Sequence, residues 1–411
     1  MGRCPISEDI AIVGGGAAGT MAAIFAARAG ARALLLERTR DGGRKILISG
    51  GGRCNVLPSQ LQPAQYVTAS SRNSLKKILL SWPLAEQRRF FEEELRIPLA
   101  LEAESGKLFP VSNQARAVRD ALIGEARAAG ARIRHNSYVQ DITREDDAWR
   151  IILEGAAPIS ARCVIIATGG LSVPATGSDG TGLRIVQRLG HTIHATYPAL
   201  TPLTCEPPRH ADLAGVSLNV TLHAAGLTTQ GGFLFTHRGY SGPSVLNISH
   251  VAVQSRRGHA NVPIHVQWTA RSAPHWDELF RTTTSSVGSL VRRELPARLA
   301  DMLLGEAKVD AERTTSQLRK EERARLVSVL CKYELPWTGD EGYKKAEVTG
   351  GGVALGEVDP RTLESRLQPG LFLCGEILDA FGPIGGYNFA WGWATGRAAG
   401  LGAASRVTAP R

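Results

Sequence analysis

The chain has 411 residues, 43% hydrophobic and 21% charged, enough to build about two or three domains with full cores. No apolar run approaches the ~20 residues of a membrane span, the first strand-like run begins at Ile10 and leaves no room for a signal peptide, and Ile6 stands where a myristoylation signal at Gly2 would need Ser or Thr, so a cytoplasmic protein without a membrane partner is expected. The net charge is +10, but its Lys and Arg are dispersed and the densest cluster, Arg313 to Arg325, is interleaved with Glu, which argues for a small-molecule substrate over a nucleic-acid partner.

In chain order, Ile10 to Val13 is a short apolar run. Gly14, Gly16 and Gly19 follow at the G-x-G-x-x-G spacing, then a small-residue helical stretch from Thr20 to Ala29, and a second apolar run from Ala33 to Leu36 that ends in Glu37. This is a βαβ unit carrying a dinucleotide fingerprint. Gly14 permits the tight turn, Gly16 lets the backbone approach a pyrophosphate, and Gly19 lets the helix lie close to the sheet. The helix N-terminus offers unpaired N–H groups to the phosphates. Glu37 is placed to accept hydrogen bonds from ribose hydroxyls and disfavours a 2′-phosphate, so FAD or NAD fits better than NADP.

The stretch Gly42 to Asn55 then runs Gly-Gly-Arg-Lys-Ile-Leu-Ile-Ser-Gly-Gly-Gly-Arg-Cys-Asn. Three successive glycines after an apolar segment suit a backbone pressed against a flat ligand such as an isoalloxazine ring. Gly43 to Asn55 resembles the signature of the BaiN-like, aminoacetone-oxidase-like family of NAD(P)/FAD-dependent oxidoreductases, and the likeness extends over nearly the whole chain. The resemblance implies FAD contacts from Gly14, Gly16, Ala17, Ala18, Gly19, Glu37, Arg38, Lys45, Ser49, Gly50, Gly51, Gly52, Arg53, Cys54, Asn55 and Val139. It implies a Rossmann-like two-motif FAD domain of α/β class, with NAD(P)H as a transient electron donor.

Residues 73 to 95 read as helical, broken at Pro83. Glu104 to Lys107 forms a turn between two short strands. Ser112 or Asn113 is placed to cap a helix from Ala115 to Ala129 that ends at Gly130. Strand-like runs follow at Ala131 to Ile142, Trp149 to Glu154 and Ala161 to Ala167. The last runs into Ala167-Thr168-Gly169-Gly170, the second FAD-associated motif of two-motif flavoproteins. Gly177 to Gly182 orders its glycines as G-x-x-G-x-G, so no second dinucleotide fingerprint is present, and a nicotinamide would dock without a Rossmann domain of its own.

From His194 the pattern alternates β-branched and polar residues with glycine turns, which predicts an inserted antiparallel, barrel-like β domain over residues 194–272. Helical periodicity takes over for 273–339, predicting a small helical subdomain. The FAD domain is expected to be discontinuous, residues 1–193 with 340–411. Its last part contains a strand, Leu371 to Cys374, that ends in Gly375-Glu376. The resemblance puts the Glu376 carboxylate on the ribityl chain. Gly385, Gly386, Tyr387 and Asn388 open a final helix, Phe389 to Ala399, whose N-terminus can face the flavin pyrimidine.

A flavin carries its own redox chemistry, so the protein must add a proton donor. His237, Tyr240, Lys45 and Tyr387 are the candidates; His237 has the most suitable unperturbed pKa. No metal-ligand spacing stands out. Cys4, Cys54, Cys163, Cys205, Cys331 and Cys374 contain no C-x-x-C pair, so neither a dithiol relay nor a cysteine metal site is expected. The expected function is an FAD-dependent oxidoreductase reducing a conjugated C=C bond of a small organic substrate with NAD(P)H. The alternatives are an O2-dependent aminoketone or amine oxidase, a tRNA-modifying flavoprotein, and a non-catalytic flavin-binding protein.

Overall fold

The computed structural model describes residues 7–409; Cys4 and the Gly2–Ile6 signal position lie outside the described residues. Two compact units emerge. One combines the chain up to Thr196 with everything from Val348 onward, and the other is Tyr197–Glu347.

In the first unit, strand Glu8–Val13 is buried along its length apart from Asp9 and is flanked by parallel strands Ala33–Leu36 and Ile159–Ile166. Such continuous apolar runs are what a parallel sheet covered on both faces requires. The sheet order is Arg132–Arg134, Ala33–Leu36, Glu8–Val13, Ile159–Ile166, Ala148–Leu153, Val139–Glu145, and Leu371–Leu373 also pairs in parallel with Ile159–Ile166. The C-terminal segment therefore returns to the sheet that the N-terminal segment begins.

Helix Ala17–Arg28 and helix Tyr387–Thr408 lie against each other along a seam of small residues. A Cβ at Gly396 would collide with the Ala18 carbonyl oxygen, and one at Gly400 with that of Ala22. The final helix therefore runs nine residues past Ala399, the expected end. Gly400 and Gly402 look like stop signals, since each costs about 1 kcal/mol relative to Ala in a helix, but here they permit backbone contact that a side chain would prevent. The helix Ala115–Ala128 starts from Gln114 without a side-chain cap, not from Ser112 or Asn113.

The second unit holds an antiparallel sheet ordered Tyr333–Glu334, His265–Gln267, Ser217–Ala224, Leu227–Thr236, Gly239–Ser241, Leu203–Thr204, Gly339–Asp340. Laid flat, seven strands would span about 29 Å. Its two edge strands are joined by Leu335 to Thr338 alone, so Glu334 and Gly339 are at most about 18 Å apart. The sheet must curl, which gives the barrel-like form. Helix Pro243–Arg257 interrupts the strands, with Pro at its first position, a residue pre-set for helix entry.

The helical residues do not form a subdomain of their own. Trp276, Leu290, Leu299, Leu303 and Leu330 from helices Ala273–Thr282, Val287–Arg292, Ala297–Ala307 and Lys320–Cys331 share one hydrophobic core with Phe233, Phe235 and Trp268 of the sheet region. Amphipathic helices this short need a partner to bury their apolar faces, and the sheet supplies it. No helix of the described residues is long and apolar enough to cross a membrane.

One polar group crosses this core. His210 lies between two tyrosines, with Nδ1 2.9 Å from the Tyr240 hydroxyl and Nε2 3.0 Å from that of Tyr333. The Tyr240 hydroxyl also lies 3.0 Å from the Pro336 carbonyl and that of Tyr333 3.1 Å from Glu306; a neutral His210 donates to one tyrosine oxygen and accepts from the other hydroxyl. Burial holds the His210 pKa below its ordinary value, against the opposing pull of Glu306. The unfolded chain therefore takes up this proton more readily than the folded one, and the contribution of neutral His210 is lost as pH falls below about 6.5. His210→Gln is expected to lower stability at pH 7.5 by about 1–3 kcal/mol, because partnered buried hydroxyls lose a contact. It should also flatten the fall in melting temperature between pH 7 and pH 5. Parallel melting curves for both proteins check this; identical slopes would remove His210 from the acid response.

Candidate functional site

Parallel pairing in register places four loops side by side. Val13 pairs with Leu36 and with Ile166, and Ile166 pairs with Leu373. The turns that begin at Gly14, Glu37, Ala167 and Cys374 thus leave the sheet at one edge, the carboxyl ends of the strands where α/β sheets bind ligands. The fingerprint is tightly built. A Cβ on Gly14 would lie 2.6 Å from the Ala167 carbonyl oxygen, and one on Gly19 would collide with the Gly14 carbonyl oxygen. A Cβ on Gly16 would meet nothing within 4 Å. That open space sits at the N-cap of helix Ala17–Arg28, whose first turn has no acidic residue to repel an anion.

Glu37 is buried. Its Oε2 accepts from the Gly15 N–H at 2.7 Å, while Oε1 accepts from the Thr39 N–H at 2.7 Å and hydroxyl at 2.6 Å. Of the roughly four acceptor positions of a carboxylate, one remains on Oε2. Arg38 pairs with Asp179 at 2.6 Å and lies over the Tyr138 ring. Val139 opens its strand with a buried side chain and pairs with Leu153, so it has backbone rather than side chain to offer a ligand. Thr168 packs against Gly182, and Gly169 and Gly170 lie beside Ser178 and Thr349.

Lys45 comes from the short helix Arg44–Ile48. Its Nζ is 2.5 Å from Glu376 Oε2 and 2.6 Å from Ser172 Oγ. Glu376 Oε1 in turn accepts from Ser172 Oγ at 2.6 Å and from the Thr349 N–H at 2.9 Å. Lys45 is thus an ion-pair partner of Glu376 and not a free proton donor. Ser172 and Thr349 have no motif of their own in the sequence; only the folded chain reveals them.

After Ser49, Gly50, Gly51 and Gly52 all take left-handed backbone angles, φ +55°, +66° and +86°, which side chains would resist. The Ser49 hydroxyl is spent on the Ile46 carbonyl at 2.8 Å, so its side chain braces the turn. Arg53 lies over the Phe109 ring, 3.9 Å from its centroid, and pairs with Glu102. The Asn55 Oδ1 is buried without a hydrogen-bond partner, an orphan that a ligand N–H would satisfy.

Gly375 precedes Glu376 with a left-handed φ of +80°. Gly385 lies against the Lys107 side chain, and Gly386 caps helix Tyr387–Thr408, close against Leu57. The Asn388 side chain braces the turn: its Oδ1 accepts from the Gly382 N–H at 2.9 Å and its Nδ2 donates to the Gly382 carbonyl at 3.0 Å. Tyr387 is held by Tyr66, which donates to its carbonyl at 2.7 Å.

In the second unit, Tyr240 is fully buried and both its contacts are internal, which removes it from the catalytic candidates. Burial pushes its pKa well up. His237 stands exposed in the turn between Leu227–Thr236 and Gly239–Ser241.

The open fingerprint, the free acceptor on Glu37, the side-chain-free turn at Gly50–Gly52 and the orphaned Asn55 oxygen fit FAD. Gly14, Gly16 and Glu37 would hold its adenosine and pyrophosphate, and the Gly50–Asn55 turn its ring. Cys54 is buried within that turn, and burial pushes its thiol up to about 12 despite the Ser49 hydrogen bond. Only thiolates attack readily, so Cys54 should escape iodoacetamide at pH 8 in the native protein, and Cys54→Ser should change flavin reduction by less than about tenfold. Peptide mass mapping and stopped-flow absorbance check the two halves; rapid native labelling of Cys54 would contradict the first.

A family model described as the HI0933-like protein Rossmann domain matches residues 8–402. The chain is 33% identical to the 3-dehydro-bile acid delta(4,6)-reductase of Clostridium scindens, across 97% of this chain and 99% of that protein. It is 31% identical to the ribosomal RNA dihydrouridine synthase of Escherichia coli, across 94% and 96%. Among solved structures, the 3-ketosteroid-delta4-(5alpha)-dehydrogenase of Rhodococcus jostii shares the fold at a TM-score of 0.51 and 16% identity, with 98% of each chain covered. The chain belongs to the HI0933-like Rossmann family and is an FAD-dependent oxidoreductase.

Proposed function

We propose that this chain reduces a C=C bond conjugated to a carbonyl group, taking electrons from NAD(P)H. The observation that carries this reading is the meeting of a flavin cradle with relatives whose two named activities share one half-reaction. A delta(4,6)-reductase acting on a 3-dehydro-bile acid and a synthase making dihydrouridine each add two hydrogens across a carbonyl-activated double bond. FAD held by Gly14, Gly16, Glu37 and the Gly50–Asn55 turn would supply the two-electron chemistry needed at the carbon β to the carbonyl. The carbon next to the carbonyl then needs a proton.

Of the sequence candidates, Lys45 is engaged by Glu376 and Tyr240 is sealed in a core. The Tyr387 backbone is held by Tyr66, and its hydroxyl is a weaker acid than an imidazolium; His237 keeps an exposed side chain of the type best suited to proton transfer near neutral pH, and we propose it as the donor. The preferred substrate is a small unsaturated ketone, in line with the reductase relative. Uracil within ribosomal RNA is the second reading, favoured by the synthases of Escherichia coli and Haemophilus influenzae and by the +10 charge, which would favour a polyanion.

The purified protein should be yellow and release FAD, not FMN, on denaturation. Anaerobic mixing with NADH or NADPH should bleach the visible flavin band, and an added steroid enone or unmodified ribosomal RNA fragment should restore it with a stoichiometric saturated product. A flavin that neither nicotinamide bleaches would overturn the reductase reading. His237→Ala should slow the substrate half-reaction by about 10²–10⁴-fold with little change in melting temperature; normal single-turnover rates would end its role as donor.

A further inference from the structure

The strands bring together a group that no local motif announces. Lys45, Ser172 and Glu376 form a closed ring of contacts: Lys45 to Glu376 at 2.5 Å, Lys45 to Ser172 at 2.6 Å, and Ser172 to Glu376 at 2.6 Å. Ser172 is fully buried, while the Lys45 and Glu376 side chains are 26% and 18% exposed. Thr349 locks the ring from outside. Its N–H donates to Glu376 Oε1 at 2.9 Å, and its Oγ1 accepts from the Leu171 N–H at 2.7 Å and the Ser172 N–H at 3.1 Å.

Counting lone pairs shows what this arrangement leaves available. A carboxylate offers about four acceptor positions. Ser172 and the Thr349 N–H fill both on Oε1, and Lys45 fills one on Oε2. One position remains, on Oε2, and a Cβ on Gly169 would stand 3.8 Å from that oxygen.

We infer that Lys45, Ser172 and Thr349 are positioning residues that hold Glu376 with a single acceptor site open for one hydroxyl of the FAD ribityl chain. Lys45 is the counter-ion of this carboxylate and transfers no proton to substrate. The inference rests on the FAD reading and specifies how the two meet.

Donor counting also makes the assignment testable. Replacing Glu376 by Gln puts an amide NH2 where one oxygen stood. Turned one way, that NH2 faces Lys45; turned the other, it faces Ser172 and the Thr349 N–H. Either orientation sets donor against donor. Removing Lys45 frees the orientation that places the NH2 on the former Oε2 side, where it donates to the ribityl hydroxyl oxygen instead of accepting from that hydroxyl. The whole chain, stripped of flavin and titrated with FAD by fluorescence quenching, should therefore show non-additive effects. Glu376→Gln should weaken FAD binding by roughly 30-fold or more, and the Lys45→Met, Glu376→Gln pair should bind at least about 10-fold tighter than Glu376→Gln alone. Thr349→Ser, which keeps the hydroxyl, should bind FAD within about threefold of the parent, and Thr349→Val should not. Effects that multiply independently would overturn the inference, as would Lys45→Met that slows turnover at unchanged FAD affinity. If Glu376→Gln fails to fold, Ser172→Ala with and without Lys45→Met tests whether the two act through one carboxylate: the double variant should weaken FAD binding by less than the product of the single effects, and independent multiplication would overturn the inference. A parent protein that takes up no FAD would remove the flavin reading itself, a result distinct from an additive cycle in a protein that binds it.

Discussion

The constraint on which the first unit depends is backbone meeting backbone where side chains are absent. Gly19 lies on the Gly14 carbonyl, Gly396 on Ala18 and Gly400 on Ala22, and a Cβ on Gly375 would crowd the Ala18 methyl at 2.8 Å. Each contact joins the fingerprint helix either to its own turn or to the C-terminal segment. Glycines in helices cost roughly 1 kcal/mol each relative to Ala, so helix Tyr387–Thr408 cannot owe its 22 residues to propensity. Tertiary contact holds it, and that contact carries Gly375 and Glu376 to the strand ends that also hold Gly14 and Glu37.

The parts of this architecture that were legible in the sequence are those written in short-range pattern. The run Ile10 to Glu37 has a strand period, a helix period and glycines at fixed offsets, and it folds as a parallel βαβ unit. The end of the final helix was not legible, because Gly400 and Gly402 serve as stop signals in isolation and as contact points in the fold. The second unit shows the same limit. Strands Tyr333–Glu334 and Gly339–Asp340 are two residues each, too short to carry a period, yet they form the two edges of the sheet.

At the site, glycine turns were legible because their left-handed angles demand a residue type. Side-chain roles were less so. Glu376 could be found from the Gly-Glu step after a strand, but its partners come from Lys45, Ser172 and Thr349, separated from it by 331, 204 and 27 residues. No spacing rule spans such distances. Tyr240 and His237 stand three residues apart, and alternation of faces along a strand gives them different fates only once the register is known: Tyr240 pairs opposite Phe235 and enters the core, while His237 sits in the turn.

The second unit also limits where substrate choice can reside. Its curled sheet encloses no ligand lumen among the described residues at its aromatic centre, because Phe233, Phe235, Tyr240, Trp268 and Trp276 are each at most 1% exposed and in ring contact with neighbours. A small barrel filled in this way offers a surface rather than a cavity. The proposed flavin cradle is built mostly from backbone and from side chains already engaged with one another, so it is better suited to hold a cofactor than to select a substrate. Relatives that differ in named substrate while aligning over nearly the whole chain are consistent with that division. In the second unit, His237 and Arg238 are exposed in their turn, where substitution leaves that unit's core intact.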